Sequence, residues 1–102
     1  MKCESYYFFT VISNKTRWKI IYSLYEKDKT VTDICNDINE EQSKVSHNLK
    51  TLSECKIVFS KRKGKYIIYT LNKKTIKPLI KHIEKHRLEF CKGTCSLHNT
   101  GN

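Results

Sequence analysis

The chain has 102 residues, of which 38% are hydrophobic, and it contains only three glycines and one proline. This length and composition exclude a large multidomain protein and a fibrous or disordered chain, and they favour one small, helix-rich domain. The formal net charge of +10 favours a polyanion as partner.

The positive charge is concentrated in the second half of the chain. Residues 1–55 hold 8 Lys/Arg and 8 Asp/Glu, whereas residues 56–95 hold 12 Lys/Arg and 2 Asp/Glu. This distribution favours contact with nucleic-acid phosphates, the alternative being a lysine-rich surface with no particular partner. Apolar runs are too short to span a membrane, and the N-terminus lacks a signal-peptide pattern, so we expect a cytoplasmic protein without membrane contact.

Two helices are predicted before residue 30. Residues 5–12 are apolar on nearly every side, which predicts a helix over about 5–13 with one face inside the protomer and the other against a second copy. A buried strand is the alternative, because aromatic and β-branched residues favour strands. Residues 17–25 predict a core helix, with Lys19 and Ser23 on its solvent side. Glu26 to Lys29 is read as a polar turn.

Two short helices joined by a tight turn are predicted within residues 30–54. Thr30 and Asp33 have the spacing of a capping box, and Asn39 is read as a second N-cap. Val45, Leu49 and Leu52 form one apolar stripe at helical spacing. This order is that of a helix-turn-helix, the alternative being two packed helices with no role on DNA. The other face carries side chains suited to base edges and phosphates: Gln42, Ser43, Lys44, Ser46, His47 and Lys50.

A hairpin and a long helix complete the chain. Residues 57–60 and 66–71 read as strands around a charged turn, and such a wing would reach the phosphate backbone or the minor groove. Residues 75–91 predict an amphipathic helix that pairs with a second copy, and residues 96–102 a flexible tail. The expected fold is mainly α with a small β-hairpin, a winged helix-turn-helix in one domain over residues 1–95. The cations of the expected wing tip are Lys61, Arg62, Lys63 and Lys65.

The chain resembles the ArsR/SmtB family of winged-helix repressors over roughly residues 8–90. Residues 14–24 (NKTRWKIIYSL) are similar to the family's Pro-Thr-Arg opening, and residues 42–52 (QSKVSHNLKTL) to its Ser-x-Val-Ser-His-His-Leu helix. Residues 64–71 (GKYIIYTL) are similar to its Gly-Arg-x-x-Tyr-Tyr-x-Leu wing. Asn48 departs from the pattern, since a second His is usual there.

The resemblance implies a homodimeric repressor that binds an imperfect palindrome in double-stranded DNA and releases it when an effector binds. Two recognition helices would enter successive major grooves. The base-facing residues implied are Ser43, Lys44, Ser46 and His47, with Gln42 and Lys50 at the edge.

Members of this family sense metals at several places, and two of the known ligand sets are incomplete in this chain. Arsenic and cadmium sensors have three cysteines where this chain has Thr30, Thr32 and Cys35, so we expect Cys35 to be a small packing residue. In the C-terminal helix, His86 and Glu89 match one half of the zinc site. Lys73 and Thr75 replace the other half, so the known tetrahedral site is incomplete.

A different ligand set lies near the end of the long helix: His82, His86, Glu89, Cys91 and Cys95. Thiolates and imidazoles at such spacings suit a soft ion such as arsenite, Zn(II), Cd(II) or Cu(I). The alternatives are a solvated helix end without an inducer, a redox disulfide, or another ligand. A structural disulfide framework is not expected, because the five cysteines are odd in number and no secretion signal precedes them.

Rival functions are weaker on the residues. We find no set of nucleophile, base and acid, and no glycine-rich phosphate loop, so an enzyme is not expected. A winged helix that binds protein or RNA would carry an apolar patch where this helix has small polar and cationic residues. A sequence-tolerant architectural DNA binder is the remaining alternative, supported by the basic second half.

Overall fold

The computed structural model describes residues 4–91. The chain divides into two compact units, residues 1–72 and residues 73–102, which are described separately. The predicted fold, mainly α with a small hairpin, is confirmed, whereas the expectations for Cys95 and for residues 96–102 lie outside the described residues. The elements are α1 (Ser5–Ile12), α2 (Lys15–Glu26), α3 (Val31–Ile38), α4 (Gln42–Glu54), β1 (Val58–Lys63), β2 (Tyr66–Leu71) and α5 (Ile76–Phe90).

The core of the first unit is built by α2, α3 and α4, which all pack against one another. The predicted stripe of α4 is confirmed, since Val45, Leu49 and Leu52 expose 1% of their surface or less. Burying a side chain of this size stabilises the fold by about 1.5–3 kcal/mol. The hairpin packs on this core through contacts of β1 with α4 and of β2 with α2 and α3. The opposite face of α4 is therefore left to solvent.

The first element is a helix, so the alternative of a buried strand for residues 5–12 is wrong. Val11 and Ile12 are buried, and α1 packs on α2. On its other side, Tyr6 exposes 81% and Phe9 55% of its surface. The expected contact of this face with a second copy stays a prediction.

One of the two predicted helix caps is confirmed and the other is wrong. Thr30 Oγ1 accepts a hydrogen bond from the Asp33 backbone amide at 3.2 Å, and the Asp33 carboxylate accepts one from the Thr30 backbone amide at 3.5 Å. This pair of bonds is a capping box. Asn39 does not begin α4 but ends α3 in the left-handed region, at φ 58° and ψ 53°. Asparagine tolerates this conformation, and the turn lets the Glu40 amide bond to the Cys35 carbonyl. Glu41 is the residue that precedes α4.

The wing is a tighter hairpin than the predicted five-residue turn. Lys63 pairs with Tyr66 across the strands, so the turn consists of Gly64 and Lys65 alone. Gly64 has a φ of +63°, the sign that two-residue hairpins require at this position. Three of the four cations therefore lie on β1 rather than in a loop. Because side chains alternate along a strand, Lys61 and Lys63 lie on one face and Arg62 on the other.

The end of α4 stores backbone strain at Lys56. The amide of Ile57 bonds to the Leu52 carbonyl and that of Lys56 to the Ser53 carbonyl, both at 3.0 Å, which is a Schellman turn. Its left-handed position is occupied by Lys56 at φ 60°, where glycine is usual. A non-glycine residue in this conformation costs roughly 1–2 kcal/mol, part of which is offset by its lower entropy in the unfolded chain.

Lys56→Gly is expected to raise the free energy of unfolding by roughly 0.5–1 kcal/mol, because it relieves this strain. Urea denaturation followed by circular dichroism measures the change. The matched control is Lys56→Ala, which removes the same charge and keeps the strained conformation. Equal stabilities of the two variants would contradict the assignment of strain to this position.

The second unit is described by its helix, α5. Pro78 is accommodated in the first turn, where its missing amide breaks no helical bond. Ile76 and Ile80 are buried, whereas Leu88 and Phe90 expose more than half of their surface. Arg87 bonds to the Glu84 carboxylate at 2.8 Å, one turn earlier. Across residues 4–91, no helix combines the length and the apolarity needed to cross a membrane.

Candidate nucleic-acid interface

The polar face of α4 is a continuous exposed surface. Val45, Asn48, Leu49 and Leu52 are turned into the core, and helical geometry places the side chains on the opposite side of α4 outward. All six predicted contact residues are exposed and are brought together on this surface, which we call the α4 polar face: Gln42, Ser43, Lys44, Ser46, His47 and Lys50.

The orientation of α4 is held by Arg17 of α2. Its Nε donates to the carbonyl of Val11 at 2.7 Å, and its Nη1 donates to Oδ1 of Asn48 at 3.2 Å. Asn48 in turn donates to the carbonyl of Lys44 at 2.9 Å, one turn back in α4. Asn48 is buried, so this departure from the family pattern is a packing contact between helices and not part of the α4 polar face.

The wing cations are all exposed but do not form one cluster. Lys61 and Lys63 share the strand face of Phe59, whereas Arg62 lies on the opposite face, and Lys65 is in the turn. Arg62 Nη1 reaches the Gly64 carbonyl at 3.5 Å, which keeps its guanidinium near the tip. Positive charge thus surrounds the end of the hairpin on both faces.

A buried lysine that sequence reasoning missed anchors the base of the wing. Lys29 is only 8% exposed, and its ammonium donates to the Ser23 carbonyl at 2.7 Å, to the Ser23 hydroxyl at 3.0 Å and to the Asp37 carboxylate at 2.8 Å. Its backbone exchanges two hydrogen bonds with Tyr69 of β2, at 3.1 and 2.8 Å. One residue therefore joins α2, α3 and the hairpin.

This arrangement corrects two expectations. The predicted solvent side of α2 includes Ser23, which is buried, and the predicted polar turn includes Lys29, which is also buried. The aliphatic stem of lysine can enter a core when its ammonium finds acceptors. No local signal marks these residues, because their partners come from three different elements.

The pKa of Asp37 is lowered, chiefly by its hydrogen bond from Lys29 and then by one from Ser23, against an opposing effect of burial. A carboxyl group with a lowered pKa in the folded state stabilises the fold above its ordinary pKa of about 4. That contribution is lost as the pH falls through the lowered value. The contribution of Asp37 to the stability of the fold is therefore fully present at neutral pH.

Known proteins resemble this chain in sequence and in fold. A family model described as "Bacterial regulatory protein, arsR family" matches residues 14–60. The transcriptional repressor SdpR of Bacillus subtilis is 38% identical over 64 residues, which are 63% of this chain and 71% of SdpR. The chain belongs to the arsR family.

Two further proteins extend the comparison. A cadmium resistance regulatory protein CadC homolog of Staphylococcus aureus is 32% identical to this arsR-family chain, over 79% of it and 68% of the homolog. The homodimeric winged helix-turn-helix DNA-binding domain Mb0332 of Mycobacterium bovis superposes with a TM-score of 0.69 at 20% identity. This match covers 79% of the present chain and 78% of the Mycobacterium domain. The arsR-family protein is thus a transcriptional regulator with a winged helix-turn-helix fold.

Two carboxylates beside the α4 polar face were also missed by sequence reasoning. Glu40 lies between two lysines, 3.3 Å from Lys44 Nζ and 4.0 Å from Lys19 Nζ. Glu41 accepts a hydrogen bond from the Ser43 hydroxyl at 2.9 Å. The spacing of Glu40 and Lys44, four residues apart, is that of a helical ion pair and is the sequence signal that could have identified Glu40.

The predicted sensor residues are not assembled within the described part of this arsR-family chain. Among residues 4–91, no group of three or more His, Cys, Asp or Glu side chains is placed to hold a metal ion. His82, His86 and Glu89 are exposed on α5, Cys91 is a half-buried free thiol, and Cys95 lies outside the described residues. The metal-binding set stays a prediction.

Cys35 lies where arsenic and cadmium sensors of the family have their cysteines, and it is a half-buried free thiol. Burial raises the pKa of Cys35, and a backbone hydrogen bond partly offsets this effect. A raised pKa disfavours the thiolate, which is the form of cysteine that binds metals. This agrees with the packing role expected for Cys35.

Proposed function

We propose that this chain is a homodimeric transcriptional repressor that binds a palindromic operator in double-stranded DNA. The observation that carries the proposal is the α4 polar face, on which six small polar or cationic side chains lie opposite a fully buried stripe. Such side chains hydrogen-bond to base edges in the major groove, which admits one α-helix. Ser43, Lys44, Ser46 and His47 read bases, and Gln42 and Lys50 lie at the edge.

The wing supplies contacts with DNA phosphates, and these contacts do not depend on the DNA sequence. Exposed lysine and arginine side chains bind phosphates, which position a protein on the duplex without reading bases. Lys61, Arg62, Lys63 and Lys65 surround the hairpin tip, and the Lys29 anchor holds the base of β2 against α2 and α3. The wing therefore has a defined position from which to contact the backbone beside α4.

The dimer is supported by exposed apolar side chains in both units. Tyr6 and Phe9 of α1, and Leu88 and Phe90 of α5, each expose more than half of their surface. Large apolar groups exposed along helices are typical of surfaces that associate. In a two-fold dimer the two copies of α4 would enter successive major grooves, about 34 Å apart for one helical turn.

Selection from a randomised duplex library, followed by affinity measurements, tests this function. Ser46→Ala and His47→Ala are each expected to reduce the preference for the selected operator over random duplex by about 10- to 100-fold. Ser53→Ala, near the end of the same helix, is the matched control and should keep the preference. Equal losses on operator and random duplex would instead identify a sequence-tolerant architectural protein.

The same assay addresses the effector. Operator binding by the reduced protein is measured with and without arsenite, Zn(II) or Cd(II), and after oxidation of the thiols. Release by a soft ion would support a sensor built from His82, His86, Glu89, Cys91 and Cys95. Unchanged affinity under all four conditions would contradict both metal and redox sensing.

A further inference from the structure

Glu41 is an acidic residue at the N-terminal end of α4, beside the α4 polar face. It is exposed and directly precedes α4, yet its side chain makes no capping bond to the helix amides. Its Oε1 instead accepts a hydrogen bond from the Ser43 hydroxyl at 2.9 Å. The carboxylate is therefore turned toward a residue of the proposed base-reading set.

The neighbouring carboxylate has a different environment. Glu40 exposes 21% of its side chain and lies within 4.0 Å of two ammonium groups, those of Lys44 and Lys19. Its charge is thereby balanced within the protein. Glu41 has a neutral hydroxyl as its partner, so its charge is not balanced by that contact.

A carboxylate without a cationic partner weakens binding to DNA unless it accepts a hydrogen bond from the DNA. Phosphates repel it, and an ionised carboxylate can only accept hydrogen bonds. The donors in the major groove are the exocyclic amino groups of cytosine and adenine. Adenine presents an N7 acceptor beside its amino group, which suits an amide better than a carboxylate, whereas glutamate matches the N4 amino group of cytosine.

We propose that Glu41 reads a base and selects cytosine at one position of each operator half-site. The carboxylate accepts a hydrogen bond from cytosine N4, and the Ser43 hydroxyl orients it for that contact. N-terminal residues of a recognition helix are those that approach base edges most closely, which is where Glu41 stands. The inference rests on the proposed operator binding by α4 and adds one specificity-determining residue to it.

Library selection with the wild-type chain and with Glu41→Gln tests the assignment. The wild type is expected to select cytosine at one position of each half-site. Glu41→Gln is expected to lose this preference by about 10- to 100-fold and to favour adenine there, because an amide pairs with N6 and N7. Preferences at all other positions should be unchanged.

Glu54→Gln is the matched control, since it removes an exposed carboxylate from the far end of the same helix. It should leave every base preference unchanged. If Glu41→Gln binds all duplexes more tightly by one common factor and keeps the wild-type preferences, Glu41 only repels phosphate and the proposal is overturned. A wild-type chain that selects a palindrome without this cytosine overturns it too. A wild type that selects no sequence overturns the proposed function as well.

Discussion

Lys29→Met is expected to lower the free energy of unfolding by about 3 kcal/mol, because it leaves the two acceptors of buried Ser23 without their donor and removes the ion pair with the exposed Asp37 carboxylate. The ammonium of Lys29 donates hydrogen bonds to the Ser23 carbonyl, the Ser23 hydroxyl and the Asp37 carboxylate, all within 3.0 Å. Methionine keeps most of the buried stem, so the loss reports on the polar contacts rather than on a cavity. With a total stability of about 5–15 kcal/mol for a small domain, this change is a large fraction.

Thermal and urea unfolding measure the effect, and Lys27→Met is its control. Lys27 is exposed and two residues away, so its replacement removes the same charge at little cost. A loss of 3 kcal/mol corresponds to a fall in Tm of roughly 10–20 °C for a domain of this size. If the two variants unfold within about 0.5 kcal/mol of each other, Lys29 is no more than a surface cation.

The double variant Lys63→Ala/Lys65→Ala is expected to weaken binding to every duplex by roughly 10- to 30-fold at 0.15 M salt, with unchanged sequence preference. Each lost phosphate contact reduces the slope of log affinity against log salt by about 0.9, so the slope should fall by nearly 2. Both side chains are exposed at the hairpin tip, where their removal costs little stability. Fluorescence anisotropy over a salt series measures both quantities.

The control for this experiment is Lys81→Ala/Lys85→Ala, which removes two exposed cations from α5. It separates contact by the wing from a general effect of net charge. Equal losses of affinity and slope in the two double variants would contradict a specific role for the wing. Arg62→Ala then asks whether the opposite face of the hairpin also contributes, since Arg62 does not share a strand face with Lys63.

Local patterns predicted those parts of the fold that depend on neighbours in sequence. The stripe of Val45, Leu49 and Leu52 is set by helical periodicity, and all three side chains are buried as predicted. The capping box of Thr30 and Asp33 depends on two residues three positions apart, and it too is present. The six residues of the α4 polar face follow from the same periodicity, because a buried stripe leaves the other side exposed.

The turns were harder to predict because each depends on backbone angles that several residues can adopt. Asn39 suits an N-cap and a left-handed C-terminus equally well, and the chain uses it for the second. The run of cations from Lys61 to Lys65 reads as a loop, but strand pairing extends to Lys63. Exposed strands tolerate lysine, so charge alone does not mark the end of a strand.

By itself, the sequence determined a small winged helix-turn-helix with a polar, cationic face on α4, because periodicity and capping act over three or four residues. Its role as a regulator was implied by the resemblance of three segments to the arsR family. Only the tertiary structure decided which polar residues hold that face in place. Arg17 meets Asn48 across 31 positions, and Lys29 joins Ser23, Asp37 and Tyr69 from three elements. Such contacts form where separate elements pack together, so the physical information that selects them lies in the packed core rather than in any single segment.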